Sequence, residues 1–364
     1  MEGLSTKKLR HLNIKYLPQR IFFGPEWIVL GVNNICNLHC KMCDVGTGFQ
    51  GSNFYHHLMG ARPVNMPLEL IFRIIEQTAR YYPKAKLGYG FTEPSIYPYL
   101  VESLRFAEEK NLYTSITTNA LLLEKQAKDL SNAGLNALCV SLDGPPEIHN
   151  RIRGNRRSFE KAYAGMEKII SGSNGKPEVS VYCTITEWNI GHLHEFADLF
   201  RDMPLKRMGF MHTNFVTENN ARMHNEKYGE HYPATVSSLE QVTLEKMNLK
   251  ALLEDISEIK NTAFPFQVIF SPEIDSLSGL RRFYFEPQKF VGAFCFDSFR
   301  NLMIKSDGSV IPSHGRCYKV NVGNIYQHTL KEIWDSGTLK KFRKTLIDAG
   351  GLLPACSRCC SAFD

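Results

Sequence analysis

From Trp27 to about Asn214 the chain alternates short β-rich apolar runs with amphipathic ones, and that alternation leaves few folds open. Residue types and period predict strands over 27–32, 86–91, 113–117, 137–142, 178–186 and 207–212. Apolar residues three to four apart predict helices between them, near 68–81, 97–110, 123–133, 158–170 and 190–200. Strands joined through helices pair in parallel by right-handed crossovers. The expected core is therefore α/β, a curved parallel sheet or partial (β/α)6 barrel. Its functional residues should follow the carboxyl ends of the strands.

The loop after the first strand carries Cys36, Cys40 and Cys43, a Cys-x3-Cys-x2-Cys triplet. Three thiolates can converge on one inorganic centre. On a [4Fe-4S] cube they leave one iron without a protein ligand, and an open coordination position is what separates a catalytic metal site from a closed structural one. Spacing alone indicates a metal or cluster site, with zinc as the competing occupant. The triplet resembles the signature of the radical S-adenosylmethionine (SAM) enzymes. That resemblance implies that the open iron binds the amino and carboxylate groups of SAM, and that one electron cleaves the sulfonium to a 5'-deoxyadenosyl radical that abstracts a substrate hydrogen. Met42 stands where relatives carry an aromatic residue and keeps an apolar cover.

Further motifs fall where the strand rule puts them. Gly90-Phe91-Thr92-Glu93-Pro94 is similar to the family's Gly-Gly-Glu-Pro, with Phe91 and Thr92 in place of the two glycines, and implies Glu93 on the SAM amino group. Thr117-Thr118-Asn119-Ala120 is similar to Thr-Asn-Gly, which adds Thr118 and Asn119 as SAM-binding candidates. Residues 140–154 resemble the Ser-x-Asp-Gly-x4-His-x3-Arg-Gly pattern of peptide- and cofactor-modifying members. The resemblance assigns Ser141 to the SAM ribose and Arg153 to the SAM carboxylate or its acidic neighbours; Asp143 shares a strand face with Ser141, and His149 reads as a structural hydrogen-bonding residue. In the fifth strand Tyr182 belongs to the polar set expected to face the lumen near the adenosyl group, with Cys183 toward the helices as a small hydrophobe. His212 and Asn214, at the end of the sixth, are the candidate substrate contacts. A long amphipathic helix is expected over 239–260.

The C-terminal third places Cys295 before a predicted hairpin around Asp307-Gly308, then Cys317, a helix near 330–346, and Cys356, Cys359 and Cys360. This resembles the SPASM/twitch extension of radical SAM enzymes, which holds auxiliary [4Fe-4S] clusters. The chain ends four residues after Cys360, so one auxiliary [4Fe-4S] cluster is expected, on Cys295, Cys317, Cys356 and Cys359, with Cys360 as the alternative fourth ligand and a four-cysteine zinc site as the alternative occupant. Ser313 stands where many relatives have cysteine.

The expected organisation is an N-terminal extension over 1–24, the barrel over 25–215, a helical connector or lid over 216–290 and a small α+β cluster-binding extension over 291–364. A balance of 43 basic and 37 acidic residues, +6, is too mild to argue nucleic acid. No secretory signal and no membrane-spanning apolar run is visible, so a cytoplasmic protein is expected, with its cysteines reduced. The resemblance implies a radical SAM oxidoreductase fed by a flavodoxin- or ferredoxin-type electron donor. Its expected substrate is a small polar biosynthetic intermediate, to be oxidised or rearranged. Maturation of a peptide or protein is the alternative within the class, and a non-catalytic iron–sulfur or zinc protein is the alternative outside it.

Overall fold

The structure, a computed structural model, describes residues 6–18, 20–59, 62, 64–172 and 175–363; of the expected 1–24 extension, residues 1–5 and 19 lie outside them. The six predicted strands form as β1 Trp27–Leu30, β2 Lys86–Tyr89, β3 Thr114–Thr118, β4 Ala137–Ser141, β5 Glu178–Ile185 and β6 Arg207–His212. Their order in the sheet follows the chain and each pair is parallel. The strands are buried where β-branched and aliphatic residues recur, with Ile28, Leu30, Leu138, Val140 and Val181 fully covered. The helix Leu68–Tyr81 shows why the crossovers pack: Leu70, Ile71, Ile74, Ile75 and Thr78 form one buried stripe against the sheet. Among the described residues no helix is long and apolar enough to cross a membrane.

The connector differs from its helical expectation. It contains β7, Gln267–Ser271, which pairs in parallel with β6 and extends the sheet. A short run flanked by Phe-Pro-Phe and Ser-Pro lacks the two-residue alternation that marks a half-buried strand. The helix expected over 239–260 is Leu249–Asn261, because the Asn248 side chain accepts from Ala251 N–H and starts the helix there.

The C-terminal hairpin, β8 Asn301–Ile304 and β9 Ser309–Pro312, joins the barrel sheet instead of standing apart. β8 runs parallel to β1 with Trp27 opposite Asn301, and a two-residue β10, Gly323–Asn324, follows β9, so the ten-stranded order is β10-β9-β8-β1-β2-β3-β4-β5-β6-β7. Buried Met303 and Ile311 from the hairpin pack with Phe54 and Leu58, and Val29, Cys43 and Phe91 border that small core. The C-terminal cysteines are thereby brought beside the loop that carries the N-terminal triplet.

Candidate active site

Cys36, Cys40 and Cys43 lie on the loop that leaves β1, before a short helix at Asp44–Thr47. That loop is tied down at several points. Lys41 N–H donates to the Ile152 carbonyl at 3.0 Å, and Asn119 Nδ2 donates to Asn37 Oδ1 at 2.7 Å. Gly46 is required where it stands, because a Cβ there would fall 2.5 Å from the backbone nitrogen and oxygen of Cys40. Burial pushes the Cys36 thiol up and the Cys40 thiol up to about 12, opposed at both by Arg153. Such buried sulfurs favour their thiolate form only when a cationic centre is bound to them.

Glu93 is buried after β2, and three donors fix its carboxylate. Thr118 Oγ1 at 2.6 Å and Ser95 N–H at 2.9 Å donate to Oε1, while Asn119 N–H donates to Oε2 at 2.8 Å. Each carboxylate oxygen accepts about two hydrogen bonds, so Oε2 retains one acceptor position. Two non-glycine residues of these loops, Phe91 with φ +77° and Ala120 with φ +60°, hold left-handed backbone.

Arg153, itself buried, joins the fourth strand's loop to the cysteine loop. Its Nε is 2.5 Å from Asp143 Oδ2 and its Nη1 3.6 Å from Cys40 Sγ. Asp143 Oδ1 accepts Thr184 N–H at 2.9 Å, and His149 Nδ1 accepts Asp143 N–H at 3.0 Å. Ser141 ends β4 half-buried. The Tyr182 ring lies over Gly209, where a Cβ would meet it at 2.6 Å, and burial raises its hydroxyl's pKa.

Cys295, Cys317, Cys356 and Cys359 line one cavity, and Asn214 from the end of the β6 segment lines it too. Cys360 does not line it. Burial pushes Cys295 up to about 12 and raises Cys317 and Cys356. His212 is not among the lining residues. It is 1% exposed, with Nδ1 2.8 Å from Tyr284 Oη and its ring 5.1 Å from that of Phe283. On β6 it alternates with Met211 and shares the side of Phe210, which packs on Phe270.

Among the described residues, only His314, Cys359 and Cys360 bring three ligand atoms within 4.8 Å of one another. Neither the N-terminal triplet nor the set Cys295, Cys317, Cys356 and Cys359 is that compact. A lone tetrahedral zinc with Zn–S bonds of about 2.3 Å needs its sulfurs closer than that, so neither set is drawn in as tightly as such an ion requires. Sequence reasoning missed His314, Arg316, Tyr318 and Ser298 near the auxiliary thiols; the one signal was Ser313-His314 at the end of the Asp-Gly hairpin, where relatives carry cysteine.

The family model of the radical SAM superfamily matches residues 31–200, and that of the SPASM iron-sulfur cluster-binding domain matches 295–360. The chain is 23% identical over 363 residues to the tungsten-containing aldehyde ferredoxin oxidoreductase cofactor-modifying protein of Pyrococcus furiosus, covering 92% of this chain and 87% of that protein. It is 28% identical over 211 residues to a probable GTP 3',8-cyclase of Methanococcus aeolicus, covering 56% of this chain and 59% of the relative. Of solved structures, Streptococcus suis SuiB bound to S-adenosylmethionine superposes with a TM-score of 0.61 at 16% identity over 98% of this chain and 79% of that one. Native anSMEcpe with bound AdoMet superposes with 0.59 at 19% identity over 87% and 83%. These two likenesses establish the shared fold.

Proposed function

This chain is a radical SAM enzyme that ends in a SPASM iron-sulfur cluster-binding domain, and from that premise we propose that it oxidises a small polar substrate held between the barrel and the auxiliary site. Its cofactors are a [4Fe-4S] cluster, SAM and an auxiliary iron–sulfur cluster. Cys36, Cys40 and Cys43 hold the first, and Cys295, Cys317, Cys356 and Cys359 the auxiliary one. When bound, the open cluster and SAM supply a 5'-deoxyadenosyl radical able to take a hydrogen atom from substrate.

The chain's own side chains bind and orient. Glu93, fixed by Thr118 and Asn119, offers its remaining Oε2 acceptor position to the SAM ammonium. Ser141 borders the adenosyl side, and Arg153, held by Asp143, keeps positive charge beside the Cys40 sulfur, whereas the Tyr182 hydroxyl lies toward Arg207 at the amino end of β6. Asn214 contacts substrate. His212, packed against Tyr284 and Phe283, does not line the cavity of the auxiliary thiols.

One observation carries the oxidative reading: Asn214 lines the same cavity as the four auxiliary thiols. A substrate at Asn214 stands next to an electron acceptor. With the auxiliary cluster bound on Cys295, Cys317, Cys356 and Cys359, a substrate radical held at Asn214 would have an acceptor for its electron beside it and could give a proton to solvent, for a net two-electron dehydrogenation.

The test is anaerobic. Reconstituted protein reduced with dithionite should release 5'-deoxyadenosine, and a fractionated small-molecule extract should speed that release and yield a product two hydrogens lighter than its substrate. A product isomeric with substrate would overturn the oxidation. Stimulation found only in the peptide fraction would support peptide maturation.

A further inference from the structure

Three of the four auxiliary thiols each face one side-chain donor. Ser298 Oγ lies 3.4 Å from Cys295 Sγ, Tyr318 Oη 3.0 Å from Cys356 Sγ, and His314 Nε2 3.2 Å from Cys359 Sγ. A metal-bound cysteine is a thiolate and has no proton to give, so in each pair the oxygen or nitrogen is the donor.

His314 Nε2 has a second sulfur near it, Cys360 Sγ at 3.7 Å, and Cys359 is the nearer acceptor. Arg316 N–H donates to His314 Nδ1 at 3.1 Å, which leaves the proton of the neutral ring on Nε2, facing Cys359. A ring bound to metal through Nε2 would carry its proton on Nδ1, directed against that N–H. His314 is therefore a donor to the sulfur and not a ligand. The Tyr318 hydroxyl has one competing acceptor, His224 Nδ1 at 3.5 Å. The thiolate is nearer and charged, and takes the hydrogen bond. Ser298 is fully buried, and its carbonyl is held by Arg343 Nε at 2.9 Å, which fixes the residue where its hydroxyl meets Cys295.

We propose that Ser298, His314 and Tyr318 are positioning residues for the auxiliary cluster, whose three hydrogen bonds to cysteine sulfur hold its reduction potential up. The physical need is plain. Cys295 is buried and Cys317, Cys356 and Cys359 are half-buried, and the low dielectric around them disfavours the added negative charge of a reduced cluster. Hydrogen bonds to the sulfurs withdraw charge and make an added electron less costly. The purpose of this tuning, to let the site accept a substrate electron, rests on the oxidative reading above; the tuning itself does not.

The experiment uses the full chain, reconstituted anaerobically with iron and sulfide, and titrates the auxiliary cluster's electron paramagnetic resonance signal against potential. Ser298→Ala, Tyr318→Phe and His314→Leu should each retain the wild-type iron content and shift the auxiliary midpoint to more negative potential, with the midpoint of the Cys36-Cys40-Cys43 cluster unmoved. His314→Gln, which restores an N–H donor, should bring the midpoint back toward wild type. Unchanged auxiliary midpoints in all three variants would overturn the proposal. So would strong nitrogen hyperfine coupling in the wild type that disappears in His314→Leu along with auxiliary iron, since that would make the ring a ligand. Shifted midpoints in an enzyme whose product is isomeric with substrate would leave the tuning standing and remove the oxidative reading; unmoved midpoints with a dehydrogenated product would do the reverse.

Discussion

Asp44, next to Cys43, and Arg316, next to Cys317, both hydrogen-bond to the same pair of serines. Asp44 Oδ2 accepts from Ser237 Oγ at 2.7 Å and Oδ1 from Ser238 N–H at 2.6 Å, while Arg316 Nη1 donates to the hydroxyl oxygens of Ser237 at 2.9 Å and Ser238 at 2.5 Å. Ser237 and Ser238 are buried, and Asp44 fully so. The neighbour of one cysteine set thus reaches the neighbour of the other through a single polar relay, while Arg316 also lies 4.3 Å over the Phe54 ring. The two cysteine-bearing segments are fixed relative to each other by hydrogen bonds as well as by the small core beneath Phe54.

Removing the carboxylate should therefore loosen both segments. Asp44→Ala leaves the buried Ser238 N–H without its acceptor, and an orphaned buried donor costs about 1–3 kcal/mol. Urea unfolding of the variant should show a loss of that size, with Asp44→Asn, which keeps one acceptor oxygen, losing less. Equal losses for the two variants would mean that the relay's hydrogen bonds do not carry the effect.

The Asp143–Arg153 pair calls for a larger effect. Both side chains are out of water, so Asp143→Asn leaves a guanidinium unpaired beside Cys40. Breaking one side of a buried ion pair costs about 3–5 kcal/mol. Combining it with Arg153→Met should cost less than the sum of the single changes, because the second substitution removes the orphaned charge. Strict additivity in that cycle would show that the two groups do not act as a pair.

The cysteine triplet, the six barrel strands and the position of Glu93-Pro94 after β2 were legible because each is a local pattern of spacing or alternation. What stayed hidden depends on contacts between distant parts of the chain. Nothing near Asn301 indicates that its partner is Trp27, and an Asp-Gly hairpin reads alike whether it joins a sheet or stands alone. Ser298, His314 and Tyr318 carry no spacing signature, since a donor to sulfur needs only to arrive at the right place in space. Phe91 and Ala120 hide their left-handed backbone because the residue types that usually announce it, glycine and asparagine, are absent there.

That conformation at Phe91 makes a difference measurement available. Phe91→Ala and Phe91→Gly both remove a ring that borders the Phe54–Met303 core, but only glycine relieves the φ of +77°. The glycine variant should be the more stable of the two by about 1 kcal/mol, the reverse of their order in ordinary helix or strand. If chemical denaturation finds the alanine variant equal or better, the backbone at this position is not strained.

His212 makes stability depend on acid. Burial lowers its pKa from 6.5 to about 3, so the folded chain keeps the ring neutral where the unfolded chain protonates it. Above about pH 6.5 both states are neutral and the group has no effect. As pH falls from there toward 3, the unfolded state binds the extra proton and folding stability declines by about 1.4 kcal/mol per pH unit from this one residue. His212→Leu removes the titration while preserving an apolar filling beside Phe283. Between pH 6 and pH 4 the wild-type unfolding free energy should fall more steeply than the variant's by about that slope, measured in iron-free protein so that only side-chain protons change. His57, His149 and His224, whose pKa values burial also lowers, act equally in both proteins and cancel. Parallel slopes would mean that His212 reaches solvent, and would return it to the candidates for direct contact with substrate.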